Sequence, residues 1–201
     1  MSDISAQRPD TVQAYRRPDG TFGIRNHVAI IGAMDNTNPV VRRIAASVSE
    51  TVPITAAYGR GQMAEDLAQH DNTLIGFGNH PNVAAALVVG LYSKSAREMA
   101  EEIAATGRPV NWVAIQEMGG TVKATEIGIR MAMELVSEAS RVCREPCSVS
   151  ELFLGLECGG SDATSGLTAN ATTGIVADWI VEAGGTVMFS ETEEIMGAEH
   201  I

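Results

Sequence analysis

Short blocks of continuous apolar residues alternate with longer amphipathic stretches along this chain. Val28–Ala33, Ala84–Leu91, Val110–Gln116, Leu152–Cys158 and Thr186–Glu191 are apolar at most positions, not at every second one. Such runs fit strands buried on both faces, as in a sheet covered by crossover helices. Between them, Asn38–Ser49, Gln62–Gln69, Ser95–Thr106, Thr121–Ser140 and Thr173–Ala183 read as helices, and Pro53–Ala57 as a further short strand. The alternation predicts an α/β fold: a largely parallel, doubly wound sheet with helices on both faces. The polar residues 1–14 predict a flexible arm, and 15–201 a single α/β domain. Because the chain stops directly after a strand and a run of acids, the expectation is a fragment of a longer polypeptide.

Composition narrows the function classes. Of the 201 residues, 45% are hydrophobic, enough for a substantial core, while the net charge is −11 and aromatic residues are only 4%. That balance argues against phosphate-backbone binding and against base-stacking surfaces, so no nucleic-acid partner is expected. No stretch approaches the ~18 apolar residues of a membrane span, and the start lacks a signal-like apolar run. A cytoplasmic protein without a membrane partner is expected. Three cysteines, Cys143, Cys147 and Cys158, are too few for a disulfide framework.

The candidate chemistry sits where strands end. Leu152-Phe-Leu-Gly-Leu runs into Glu157-Cys158-Gly159-Gly160-Ser161-Asp162, and Ser165-Gly166 and Asn170 follow. Open α/β sheets bind ligands beyond the carboxyl ends of their strands. Ser161 or Asp162 is placed to cap the next helix, whose N-terminus favours an anion, so an acidic small molecule is the first guess. The same run also reads as a tight turn around a buried small thiol. Gln116-Glu117-Met118-Gly119-Gly120 repeats the pattern, with backbone N–H groups that can cradle a carboxylate or simply make a turn. His80, before Pro81, reads either as an acid/base or as a turn residue, and Arg25 either as a carboxylate ligand or as a clasp for the arm. Glu191–Glu194 with Glu199 and His200 can bind a metal or move a proton, or form a solvated loop. Neither G-x-G-x-x-G after the first strand nor G-x-x-x-x-G-K-[ST] is present, which disfavours a nucleotide cofactor.

Six ordered motifs carry a resemblance. They are Tyr15-Arg-Arg-Pro-Asp-Gly20 with Gly23-Ile-Arg-Asn26, His80-Pro-Asn82, Gln116–Gly120, Glu157–Asp162, Ser165-Gly166 with Ala169-Asn170, and Glu191-Thr192 with Gly197-Ala-Glu-His200. From about Tyr15 onward the chain resembles the altronate and galactarate dehydratase family, which includes the large subunit of sulfolactate sulfo-lyase. The resemblance implies a hydro-lyase segment acting on a sugar acid such as an aldonate or aldarate. Water, or sulfite in the sulfo-lyase branch, leaves the carbon β to a carboxylate and a 2-keto acid results. It further implies a divalent metal, usually iron, a small N-terminal-type domain or subunit as partner, and a remaining C-terminal portion. A homo-oligomer is left open. Carried over motif by motif, it assigns Glu157, Cys158, Asp162 and His200 to catalysis. Arg25, Asn26, His80, Gly119, Gly120, Ser161 and Asn170 go to substrate binding, and Cys158 to a metal.

The chain departs from the family pattern where cysteines are expected. Those places read Met34-Asp35-Asn36, Gly59-Arg60-Gly61-Gln62 and Gly90-Leu91-Tyr92-Ser93. Asp35 offers a harder oxygen ligand, suited to Mg²⁺ or Mn²⁺. Arg60 places a positive charge where a cation would sit, so a metal-free site or a divergent substrate is also in view. A non-catalytic scaffold that kept the fold is the competing reading.

Overall fold

The computed structural model describes residues 8–200. In chain order the strands are β1 (Thr11–Arg16), β2 (Phe22–Gly23), β3 (His27–Gly32), β4 (Thr51–Ile54), β5 (Val83–Gly90), β6 (Val110–Ala114), β7 (Glu145–Ser148), β8 (Phe153–Leu156) and β9 (Thr186–Phe189). The helices are α1 (Asn38–Ser47), α2 (Ala64–Gly78), α3 (Ser93–Ala104), α4 (Thr121–Ala139) and α5 (Asn170–Glu182). Where a single domain is expected from the sequence, the contacts divide the chain into two compact units. One is Ala14–Glu145; the other runs from Pro146 onward and includes the residues up to Gln13.

The larger unit is the doubly wound sheet. Its four strands are all parallel, in the order β4-β3-β5-β6. The eight residues of β5, Val-Ala-Ala-Ala-Leu-Val-Val-Gly, are all buried. Alternation along β3 and β5 divides their side chains between two cores. Val28, Ile30, Leu87 and Val89 pack with Val40, Val41 and Ile44 of α1 and with Ala124, Ala132 and Leu135 of α4. Ala29, Ile31, Ala86 and Val88 pack with Leu74 of α2 and with Ala96, Met99, Ala100 and Ile103 of α3. The spacing of Ala96, Met99, Ala100 and Ile103 is the one-face periodicity of a helix. Pro53 is accommodated because β4 lies at the sheet edge, where a missing N–H costs no central ladder bond.

The arm expected over 1–14 is corrected in part. Residues 1–7 lie outside the described residues, but Thr11–Arg16 form a strand that pairs antiparallel with β2 through Tyr15↔Gly23 and Arg16↔Phe22. Ala14 is fully buried, which a free arm would not provide. Gly23 is required there by close approach: a Cβ would lie 2.1 Å from the Pro81 carbonyl oxygen.

The smaller unit holds β8 and β9 as a parallel pair, registered Phe153↔Thr186 to Leu156↔Phe189, with α5 as the connection. Cys147, Val149 and Ile180 are buried in this unit, while Phe153, Ile175, Val181, Met188 and Phe189 are each more than half exposed. Among the described residues, no helix is long and apolar enough to cross a membrane.

Leu87 is fully buried and belongs to the core under α1 and α4. Leu87→Ala is expected to lower stability by about 2–5 kcal/mol, read as a shift of the denaturant midpoint at unchanged slope.

Candidate functional site

The strand order reverses between β3 and β5: the chain leaves β3 toward β4 on one side and returns to β5 on the other. The carboxyl ends of these two strands frame the crevice where such sheets place ligands. Four loops meet the rim, after Gly32, Ile54, Gly90 and Ala114. Directly after β3, a 3-10 turn spans Asp35–Thr37, held by Thr37 Oγ1 donating to the Met34 carbonyl at 2.7 Å. The Asn38 side chain ties this turn to the next loop, donating to the Ala56 carbonyl at 2.7 Å and accepting from the Ala56 N–H at 3.1 Å.

Across this rim Arg60 grips Asp35 with two parallel bonds, Nε to Oδ1 at 2.8 Å and Nη2 to Oδ2 at 3.0 Å. The Arg60 bond holds the Asp35 carboxyl below its ordinary pKa. A cavity of about 540 Å³ lies beside the pair, walled by Met34, Gly59, Tyr92 and the facing sides of α2 and α3. Asp71 of α2 faces this cavity. Burial, reinforced by Glu98, raises its pKa, although His70 opposes the shift. On the same rim Gly119 and Gly120 use their N–H groups within the loop, donating to the carbonyls of Gln116 at 3.1 Å and Ile115 at 2.9 Å. Glu117 Oε1 accepts from the Ser93 N–H at the start of α3, at 3.3 Å.

The structure gathers Arg25, Asn26 and His80 at the opposite end of the sheet. Asn26 Oδ1 accepts from Arg17 Nη1 at 2.8 Å, and its Nδ2 donates to the Ala139 carbonyl at 2.8 Å. Arg17 also donates to the carbonyls of Pro81 and Arg25, each at 2.6 Å. His80 Nδ1 accepts from the Asn82 N–H at 3.1 Å, and burial followed by the nearby Arg108 charge pushes the imidazole pKa down. The Arg25 N–H donates to Asn82 Oδ1 at 3.1 Å. These residues knit the turn after β1 to the amino ends of β3 and β5.

Two buried arginines anchor that knot; the sequence reading placed Arg17 in a motif without giving it a role and did not name Arg108. Arg17 is 4% exposed, and burial, then the Arg108 charge, lower its pKa to about 10. The Arg108 side chain is fully buried; it donates to Asp19 at 2.7 Å, Thr106 at 2.8 Å and the Val83 carbonyl at 3.2 Å. Burial works against ionisation of Asp19, but the bonds from Thr21 and the Arg108 charge outweigh it and hold the carboxyl below its usual range. An Arg directly before Pro at each place, Arg17-Pro18 in a turn and Arg108-Pro109 just ahead of β6, was the available signal.

In the smaller unit, β8 and β9 bring Glu157 and Ser190 side by side at their carboxyl ends. Ser190 Oγ donates to Glu157 Oε2, and its N–H donates to the Leu156 carbonyl at 3.2 Å. Asp162 caps the turn that follows, accepting from both the N–H and the Oγ1 of Thr164 at 2.7 Å. The Thr164 hydroxyl bond is the main cause of its lowered pKa. One turn of π-helix, Ser165–Ala169, leads into α5, which Asn170 opens. Cys158 is exposed, so the reading of a buried thiol at this turn is corrected; the buried cysteine is Cys147. Ser161, Asn170, Glu199 and His200 are also exposed.

The donors of the described residues do not by themselves fit an implied divalent metal. Among the described residues no three His, Cys, Asp or Glu side chains are grouped to hold one. Both Asp35 oxygens are engaged by a guanidinium, itself a cation that a metal would have to displace.

The relationship to known proteins follows the division into units. Residues 14–140 match the model of the D-galactarate dehydratase/altronate hydrolase second domain, and 149–201 that of the D-galactarate/altronate dehydratase C-terminal domain. The chain belongs to the galactarate/altronate dehydratase family. It is 41% identical over 193 residues to the (2R)-sulfolactate sulfo-lyase subunit beta of Chromohalobacter salexigens, covering 95% of this chain and 49% of that protein. With the altronate dehydratase of Escherichia coli it shares 32% over 215 residues, all of this chain and 43% of that protein. With the galactarate dehydratase (L-threo-forming) of Escherichia coli it shares 53% over 58 residues, 29% of this chain and 11% of that protein. The chain thus spans about half the length, or less, of these relatives.

Two outcomes follow for the amino-end knot. Arg108→Met removes a buried charge partner and three hydrogen bonds, and is expected to cost on the order of 3 kcal/mol in denaturant unfolding. Asp19 ionises below its unfolded value, so its stabilisation is present above about pH 4 and is lost as pH falls through the folded value. Asp19→Asn is therefore expected to be less stable than the wild type at neutral pH, with the gap closing on acidification, as read from denaturant midpoints across the acid range.

Proposed function

We infer that this chain is part of a lyase that eliminates a group β to a carboxylate from a hydroxylated acidic small molecule. The observation that carries this reading is the match of both units, in order, to consecutive domains of one dehydratase family. The chemistry requires a base for the proton α to the carboxylate, stabilisation of the enolate and protonation of the leaving group. Glu157 is the proposed base. It stands at the carboxyl end of β8, and the Ser190 hydroxyl donates to the Oε2 of its carboxylate. The α-proton passes to Glu157, and the C–H bonding pair, held for a moment on the carboxylate as the enolate, becomes the Cα=Cβ double bond as the Cβ–O bond breaks and hydroxide leaves with its electron pair. The 2-hydroxyl then makes the product an enol, which tautomerises to a 2-keto acid. Asp162 positions the turn before α5; Cys158, Ser161, Asn170 and His200 are proposed as its exposed neighbours toward substrate. The remainder of the protein and a small partner domain or subunit complete the enzyme.

A second reading has sulfite as the leaving group, so that a C–S bond breaks instead of C–O. The 41% identity across 95% of this chain to a sulfo-lyase subunit favours it. The elimination is otherwise the same, with the electron pair leaving on sulfur.

The test uses the full-length protein with its partner, supplied with aldonates, aldarates and (2R)-sulfolactate. Release of 2-keto acid with sulfite identifies the sulfo-lyase; 2-keto acid without sulfite identifies the dehydratase. Glu157→Gln is expected to lower kcat by about 10²–10⁴ while the fold is retained, the range for loss of a general base. A folded complex inert across the panel would sink the lyase reading in favour of a non-catalytic scaffold.

A further inference from the structure

The crevice between β3 and β5 is closed by a device that the proposed base does not explain. The loop after β4 is laid onto the segment after β3. The Asp35 N–H donates to the Tyr58 carbonyl at 2.8 Å. Gly59 has φ +112°, and a Cβ there would come within 2.8 Å of Met34 Cβ, so only glycine lets the loop lie this close. The next residue, Arg60, is thereby set over Asp35 and takes both its oxygens.

A guanidinium has five N–H donors, and the grip on Asp35 uses one edge of the fork. The edge formed by Nη1 and the second Nη2 proton has no partner among the described residues. The Arg60 side chain is 62% exposed, against 31% for Asp35. Its free edge therefore faces water while Asp35 fixes its plane from below. A planar fork held rigidly loses little freedom on binding a second oxyanion, and two parallel N–H donors match two oxygens of a carboxylate or sulfonate. The cavity behind the pair carries Asp71, Glu98 and Glu102, which repel an anion, with Lys94 3.9 Å from Glu98. An anion therefore reaches Arg60 from the solvent side.

We propose that Arg60, locked by Asp35 at the carboxyl ends of β3 and β5, is an oxyanion-binding site for a carboxylate or sulfonate group, in place of a divalent cation at this crevice. The ligand class rests on the acidic substrate of the lyase reading; the site rests on the Arg60–Asp35 geometry and on the lack of a fitting donor set for metal.

The test is calorimetric titration of the full-length protein with malonate and with methanesulfonate, and separately with Mn²⁺. The wild type is expected to bind at least one of the two anions. Arg60→Gln is expected to weaken that binding tenfold or more, and Arg60→Lys to restore only part of it, because Lys keeps the charge and loses the fork. Which anion binds more tightly separates a carboxylate site from a sulfonate site. Equal anion binding by the wild type and Arg60→Gln, or no binding of either anion, overturns the proposal. Saturable Mn²⁺ binding that disappears in Asp35→Asn overturns it as well. Since binding is read without turnover, an inert enzyme with Arg60-dependent anion binding would sink the lyase reading and leave this site standing.

Discussion

The burial of β5 on both faces is the constraint from which the larger unit follows. A strand with no exposed residue cannot sit at the surface of a one-sided sheet. It needs helices above and below and a neighbouring strand on either side. β3 and β6 supply the neighbours; α1 and α4 cover one face, α2 and α3 the other. Once β3 and β5 are adjacent and parallel, the chain must leave β3 in one direction and return in the other. The reversal of winding, and with it the crevice at the carboxyl ends, is a consequence of packing rather than an addition to it.

The two ends of that sheet are treated in opposite ways by charge. At the amino end, Arg17 and Arg108 are buried and spend their donors on backbone carbonyls, Asn26, Thr106 and Asp19. Burying a guanidinium is tolerated when most of its donors are engaged in this way; Arg108 Nη2 has no partner among the described residues, and the bond from Arg108 Nη1 to Asp19 makes the turn after β1 part of the core's closure. At the carboxyl end, Arg60 is exposed and spends one edge of its fork on Asp35. The same side chain thus serves as a rivet at one end and as a presented cation at the other, and burial decides which.

Much of the fold was legible because its signal is local. Continuous apolar runs gave β3, β5, β6, β8 and β9 within a residue or two, and helical spacing gave α1, α3 and α4. β1 and β2 escaped because their pairing depends on Pro81 and Gly23 meeting across more than fifty residues, which no window contains. The division into two units escaped for a similar reason, since both parts read as α/β. At the candidate site, the motif at Glu157–Asp162 pointed to a strand end and lies at one, whereas its partner Ser190 is contributed by β9 and only the parallel register reveals it. Asn26 and His80 sit in equally distinctive motifs, but sequence cannot say at which end of a parallel sheet a loop emerges. Their polar atoms turn out to be engaged at the amino end.

On the proposed lyase reading, a chain of net charge −11 that is to hold an acidic substrate must create a local field against its own average. Scattered surface lysines do this poorly, because water and salt screen them and their side chains wander. Pairing one arginine with a carboxylate cancels net charge. It also removes the side chain's freedom and leaves the outer edge of the fork oriented, so that a ligand meets donors already in place. In the proposed site the Asp35–Arg60 pair therefore trades net charge for direction, and for recognition of a carboxylate or sulfonate direction is the scarcer quantity.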